Sequence, residues 1–194
     1  MNREKTKRLT TCALFAAFIF AVTAITGALA LTGGGGYIHI GDAVIYLAAL
    51  ALPLPYAVGA AAVGAAFADL TLGSAIYIIP TIIVKSLVVL TAKGLMRTTS
   101  KPVLQDALIC LSGIVTVAGY YVAEVVLQLF SGSAFGAAVK AAAVNSILSN
   151  TLQALASAAV FIFAAGAYRR IVDKKELKSG QSENNGDDSG SEEK

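Results

Sequence analysis

Charge is scarce in this chain. Of 194 residues only 14% are charged and 56% are hydrophobic, and the mean hydropathy is +0.71. Soluble domains carry about 25% charged residues, so an ordinary water-soluble domain is excluded. Histidine occurs once, cysteine twice and tryptophan not at all. Cys12 and Cys110 sit alone inside apolar stretches, with no CxxC or Cys/His spacing. They read as small buried hydrophobes rather than metal ligands or a redox pair. A lone histidine, no paired acids and no Ser–His set leave no machinery for an enzyme. The expectation is a non-enzyme with no cofactor and no metal. A run of four glycines, 33–36, is not followed by Gly-Lys-Ser/Thr, so it is no nucleotide loop.

Most of the charge crowds into three zones: residues 1–8, the patch 93–106 and the stretch after Tyr168. Each basic cluster abuts an apolar span and lacks interleaved aromatics, which speaks against nucleic acid. The opening eight residues followed by an apolar run resemble a signal peptide. The run extends over 9–31, longer than the typical 7–15-residue signal core, and reads as a retained first helix. The remainder divides into a basic N-terminus (1–8), an all-α membrane domain (9–170) and a polar, disordered tail (171–194) that has little to bury.

About 20 apolar residues cross a bilayer core. The spacing predicts helices over 9–31, 78–95, 103–130 and 135–168. The apolar segment 43–70 is interrupted by Pro53 and Pro55, which break a regular helix. Orientation decides how to count it. Lys and Arg favour the cytoplasmic side, and all three basic zones share that side only if 43–70 forms a hairpin of two short helices. The result is a six-helix, multi-pass bundle with both termini cytoplasmic. Loops near 33–42, 69–77 and 131–140 then lie outside. The first half of the hairpin reaches only about 15 Å, so it must stand nearly upright, thin the bilayer or be shielded by neighbours.

Ionisable groups inside spans are costly and face a bundle interior or a water-filled cavity. Lys85, Glu124 and Lys140 lie about 8–10 Å from the outer ends of the fourth, fifth and sixth helices at 1.5 Å per residue. Gln128 and Asn145 fall near the same layer. Three helices thus bring polar groups to one depth, as in a ligand pocket. Pairing of Glu124 with a lysine, or snorkelling of Lys140, would serve structure alone. Ser146, Asn150 and Gln153 share one face of the sixth helix and line a cavity or bond a neighbouring helix. Asn145 and Ser149, one step around, are the better ligand candidates. Tyr37, His39 and Asp42 follow the glycines in a loop able to cover the pocket, and Asp42 suits a helix N-terminus. Tyr77 and Tyr121, with Tyr120 beside it, can stack on a flat ring or form an interfacial belt.

The stretches Gly36-Tyr37-Ile38-His39-Ile40-Gly41-Asp42-Ala43, Pro53–Tyr56 and Gly64-Ala65-Ala66-Phe67-Ala68-Asp69-Leu70 resemble substrate-binding S components of energy-coupling factor (ECF) transporters, riboflavin type. Pro80-Thr81-Ile82-Ile83-Val84-Lys85 and Asn150-Thr151-Leu152-Gln153 are similar to segments of the same family. The resemblance implies a six-helix fold and an outward-facing pocket for a vitamin or precursor of the riboflavin, pyridoxine or hydroxymethylpyrimidine class. It also implies a transmembrane coupling subunit and two cytoplasmic ATPases as partners, and toppling of the loaded subunit as the mechanism. Ala13, Ala17 and Ala21 match the family's docking surface for the coupling subunit. The competing expectation is a stand-alone carrier that needs no ATPase.

Overall fold

The computed structural model describes residues 2–29 and 39–188. Tyr37 and the four glycines fall outside these, as does the chain from 189 onward. Among the described residues, eight α-helices form in chain order: α1 Arg3–Leu29, α2 Gly41–Ala51, α3 Leu54–Thr71, α4 Ile78–Met96, α5 Pro102–Leu111, α6 Gly113–Phe130, α7 Phe135–Ala142 and α8 Leu148–Asp188. A 3-10 turn, Ala75–Tyr77, precedes α4, and a π turn, Ala143–Ile147, joins α7 to α8.

Among the described residues, five stretches are long and apolar enough to cross a membrane: Arg3–Ala28, Leu54–Thr71, Ala75–Met96, Pro102–Phe130 and Phe135–Lys174. Thus α5 with α6, and α7 with α8, each make one span. The proline segment is a hairpin, as its sequence predicts. Pro53 caps the start of α3, where its missing N–H costs nothing. The short helix α2 is the sixth member. It survives at 11 residues because it is the buried centre of the bundle: Ile45, Tyr46, Ala48 and Ala49 are almost wholly enclosed. It packs against α1, α3, α4, α5 and α8, so its neighbours and not lipid cover it.

The rest of the bundle turns large apolar groups outward. Leu14, Phe18 and Ile25 on α1, Ile79 and Ile83 on α4, and Phe163 on α8 are all more than half exposed. In water such a surface would aggregate; in a bilayer it is the solvated face. Inside, small residues let backbones approach. A Cβ added at Gly64 would come within 2.5 Å of the Ala16 carbonyl and 2.9 Å of Ile19 Cβ, so only glycine permits the α1–α3 contact at that point.

At the end of the bundle away from the α3–α4 loop, Arg169 forms a 2.7 Å ion pair with Asp106, tying α8 to α5. Beyond it, α8 stays helical to Asp188. A helix already nucleated by its apolar span gains a hydrogen bond for each added residue without a new nucleation cost.

Candidate ligand-binding site

A cavity opens at the end of the bundle where α3 finishes and α4 begins. It encloses about 600 Å³ of empty space, part of it open to solvent. His39, from the loop before α2, and Asp69, at the end of α3, form one side. Ser74, Tyr77 and Thr81 come from the α3–α4 turn and the start of α4. Tyr120 and Glu124 project from α6. Asn145 and Ser146 on the π turn, with Ser149, Asn150 and Gln153 on α8, supply the opposite wall.

The α6 side is built from one helical stripe. Thr116, Tyr120 and Glu124 stand at i, i+4 and i+8 and so share a face. The Tyr77 hydroxyl donates to Glu124 Oε2. The Gln128 amide donates to Glu124 Oε1 at 3.1 Å. Glu124 is therefore a buried carboxylate whose partners are neutral donors. The hydroxyls of Thr81 and Tyr120 share a hydrogen bond of 2.8 Å.

The π turn explains the breadth of the α8 wall. Its wider ring interrupts the regular backbone ladder, a feature common at functional sites. Side chains satisfy the carbonyls there: the Ser149 hydroxyl donates to Asn145 O at 3.0 Å, and the Asn150 amide to Ser146 O at 2.8 Å. Five of the six polar residues from 145 to 153, all but Thr151, consequently reach one cavity. No proline or glycine in 142–148 signals the π turn.

Beneath the cavity lies an ion pair closed to solvent. The Lys85 ammonium donates to both oxygens of Asp42, at 2.7 and 2.9 Å. The Thr116 hydroxyl and the Gln153 amide donate to Asp42 Oδ2 at 3.1 and 3.3 Å. Lys85 also lies 5.0 Å from the centre of the Tyr120 ring, a cation–π distance. One carboxylate thus joins α2, α4, α6 and α8. Gln153 belongs to both layers: it lines the cavity and touches the pair. Burial pushes the His39 imidazole down to about 4 against the pull of Asp42, so it is neutral at physiological pH. Its Nδ1 accepts the Gly41 N–H at 3.1 Å, which places its proton on Nε2.

Of the residues singled out from sequence, the structure brings His39, Tyr77, Glu124, Asn145 and Ser149 to the cavity wall. Asp42 and Lys85 do not reach the wall, because each neutralises the other below it. The lysine's partner is Asp42 and not Glu124. Asp42 also makes no side-chain cap on α2; Ile40 holds the cap position. Gln128 bonds Glu124 from outside the wall, Tyr121 is half-buried and does not line it, and Lys140 is exposed on α7. Tyr120, not Tyr121, is the wall tyrosine, and its spacing of four from Glu124 was the available signal. Thr81 had one too, in Pro80-Thr81. Tyr37 lies outside the described residues. Among the described residues no group of three or more His, Cys, Asp or Glu could hold a metal ion.

A polar cavity sunk into one end of a lipid-facing bundle is the arrangement of a membrane-embedded binding protein. The family model for the S component of the ECF-type riboflavin transporter matches residues 3–170. The chain belongs to this family. No curated protein and no solved structure matches it. The S component is a multi-pass membrane protein of a transporter family, not of an enzyme class. The match covers four of the spans in full, the last one as far as residue 170, and the whole cavity wall.

Proposed function

We propose that this S component captures a small water-soluble vitamin or precursor, of the riboflavin, pyridoxine or hydroxymethylpyrimidine class, from outside the cell for ATP-driven uptake. The cavity carries this reading: it is set in apolar surroundings, opens at one end and gathers polar groups from α3, α4, α6 and α8. The basic zones at both termini and at 93–101 support a cytoplasmic position for the opposite end by the positive-inside rule. The cavity then faces outward. Purified protein is expected to bind one vitamin per chain without ATP, as measured by calorimetric titration. Failure across a panel of B vitamins and precursors would reject the reading.

The partners proposed are a transmembrane coupling subunit and two cytoplasmic ATPases. Ala13 and Ala17 are exposed, and Ala21 is half-buried, along one side of α1. Beside them an apolar groove between α1 and α3 is lined by Ala17, Phe20, Val63 and Phe67. Small residues let a partner helix approach closely. Ala17→Trp fills this groove and is expected to abolish co-purification of the coupling subunit while leaving vitamin affinity unchanged. Undiminished co-purification would remove α1 as the docking face. Vesicle uptake without the partner subunits would instead identify a stand-alone carrier.

A further inference from the structure

Among the described residues two ion pairs form, Lys85–Asp42 and Arg169–Asp106. Two cations at the end of α4 take part in neither. Lys93 and Arg97 stand at i and i+4, where Cβ atoms lie about 5–6 Å apart and like charges repel. Arg97 is exposed, but Lys93 is half-buried. A helix C-terminus and the positive-inside rule account for cations at this end. They do not account for a half-buried lysine set one turn from an arginine, with no carboxylate between them. Beside the pair, Gly94 leaves the helix surface bare: a Cβ built there meets nothing within 4 Å.

The same side of α4 is apolar along the rest of its length. Ile79, Ile83, Leu87 and Leu90 are exposed and follow at i, i+4, i+8 and i+11, on one face. Gly94 and Arg97 continue that register, and Lys93 lies next to it. The helix begins at the cavity, so Arg97 stands at the opposite end of the bundle. From Ile79 to Arg97 the rise is about 27 Å, close to the hydrocarbon thickness of about 30 Å. The two cations therefore lie at the headgroup depth of one leaflet, at the foot of a stripe that acyl chains already cover. Long basic side chains reach that depth by laying their stems along apolar surface. A phosphate there accepts hydrogen bonds from the ammonium and the guanidinium together and removes their repulsion.

We infer that the end of α4 remote from the cavity binds an anionic phospholipid, its phosphate held by Lys93 and Arg97 beside Gly94 and an acyl chain along Leu90 and Leu87. The site is separate from the cavity and does not depend on the vitamin-capture reading.

The test is a lipid titration of the full chain in detergent, with bound lipids counted by native mass spectrometry. Phosphatidylglycerol and phosphatidylcholine are the two probes. One phosphatidylglycerol is expected to bind in preference to phosphatidylcholine. Lys93→Gln combined with Arg97→Gln is expected to weaken it about 30-fold, from about fivefold for each cation. Arg97→Gln alone changes an exposed side chain and is expected to cost about fivefold. Arg170→Gln with Lys174→Gln removes the same charge from exposed positions on α8 and is expected to leave binding intact. Equal affinity for the two lipids overturns the inference. Equal losses in the two double variants overturn it as well, because they show a diffuse attraction to positive charge. Undiminished lipid binding without Lys93 and Arg97, accompanied by loss of coupling-subunit co-purification, would assign the pair to a protein partner and overturn the lipid site.

Discussion

Lys85→Met is expected to lower the stability of the folded bundle by about 3–5 kcal/mol, the cost of stranding a buried charge by removing its partner. Asp42 is fully enclosed, and the ammonium supplies its two shortest hydrogen bonds. Thr116 and Gln153 remain, but two neutral donors do not neutralise a carboxylate. Adding Asp42→Asn to Lys85→Met is expected to recover much of the loss, because the second change removes the stranded charge. Half-buried Cys12 and Cys110 provide the readout. Thiol-reactive dye labelling during heating in detergent reports their exposure, and the midpoint of the single variant should fall by about 10 °C. Equal midpoints for the parent and Lys85→Met would show that the pair contributes nothing. A double variant no better than the single one would show that Asp42 is not the group left stranded.

Glu124→Ala is expected to weaken vitamin binding by about 1.5–3 kcal/mol, the range for hydrogen bonds to charged groups. The substitution removes a wall carboxylate and releases Tyr77 and Gln128 from their shared acceptor. Gln105→Ala is the control. Its side chain serves the α4–α5 loop, donating to the Thr99 carbonyl at 2.9 Å, and takes no part in the cavity. Calorimetric titration of both variants decides the matter: equal losses would reject the cavity as the binding site. Lys85→Met is expected to act on affinity only indirectly, through Gln153 and Tyr120, since Lys85 itself does not reach the wall. Its effect on the midpoint should therefore exceed its effect on binding.

The two substitutions separate groups that look alike in the sequence. Lys85, Glu124 and Lys140 are each a lone charge in an apolar run, at similar depth. The tertiary structure gives them three fates. Lys85 is sealed in an ion pair, Glu124 lines a cavity and Lys140 is exposed. Depth along a helix is readable from a rise per residue, but direction around the axis depends on which neighbours the helix meets. Lys85 shows this best. Its partner Asp42 lies 43 positions away on a helix whose own placement follows from the proline hairpin.

The same distinction separates what was legible in the helices from what was not. The alternation of apolar runs with Gly, Pro and charged zones gives the span count, because lipid leaves a backbone no option but internally satisfied helices. Pro53 and Pro55 mark the hairpin for a local reason, since proline removes a donor wherever it occurs. The π turn at Ala143–Ile147 has no such local cause. Its effect is to widen the polar face of α8, so that Ser146, Asn150 and Gln153 join Asn145 and Ser149 at the wall.

By itself, then, the sequence determined the solvent this chain is built for, the order of its apolar segments and the layer in which its polar groups gather. Those follow from short-range rules of hydropathy, helix rise and proline chemistry. Only the tertiary structure decided which acid neutralises Lys85, which tyrosine faces the cavity and which atoms of Gln153 and Glu124 are left for a ligand. Those depend on contacts between α2, α4, α6 and α8, where a hydrogen bond is made or lost over distances far smaller than a helix diameter.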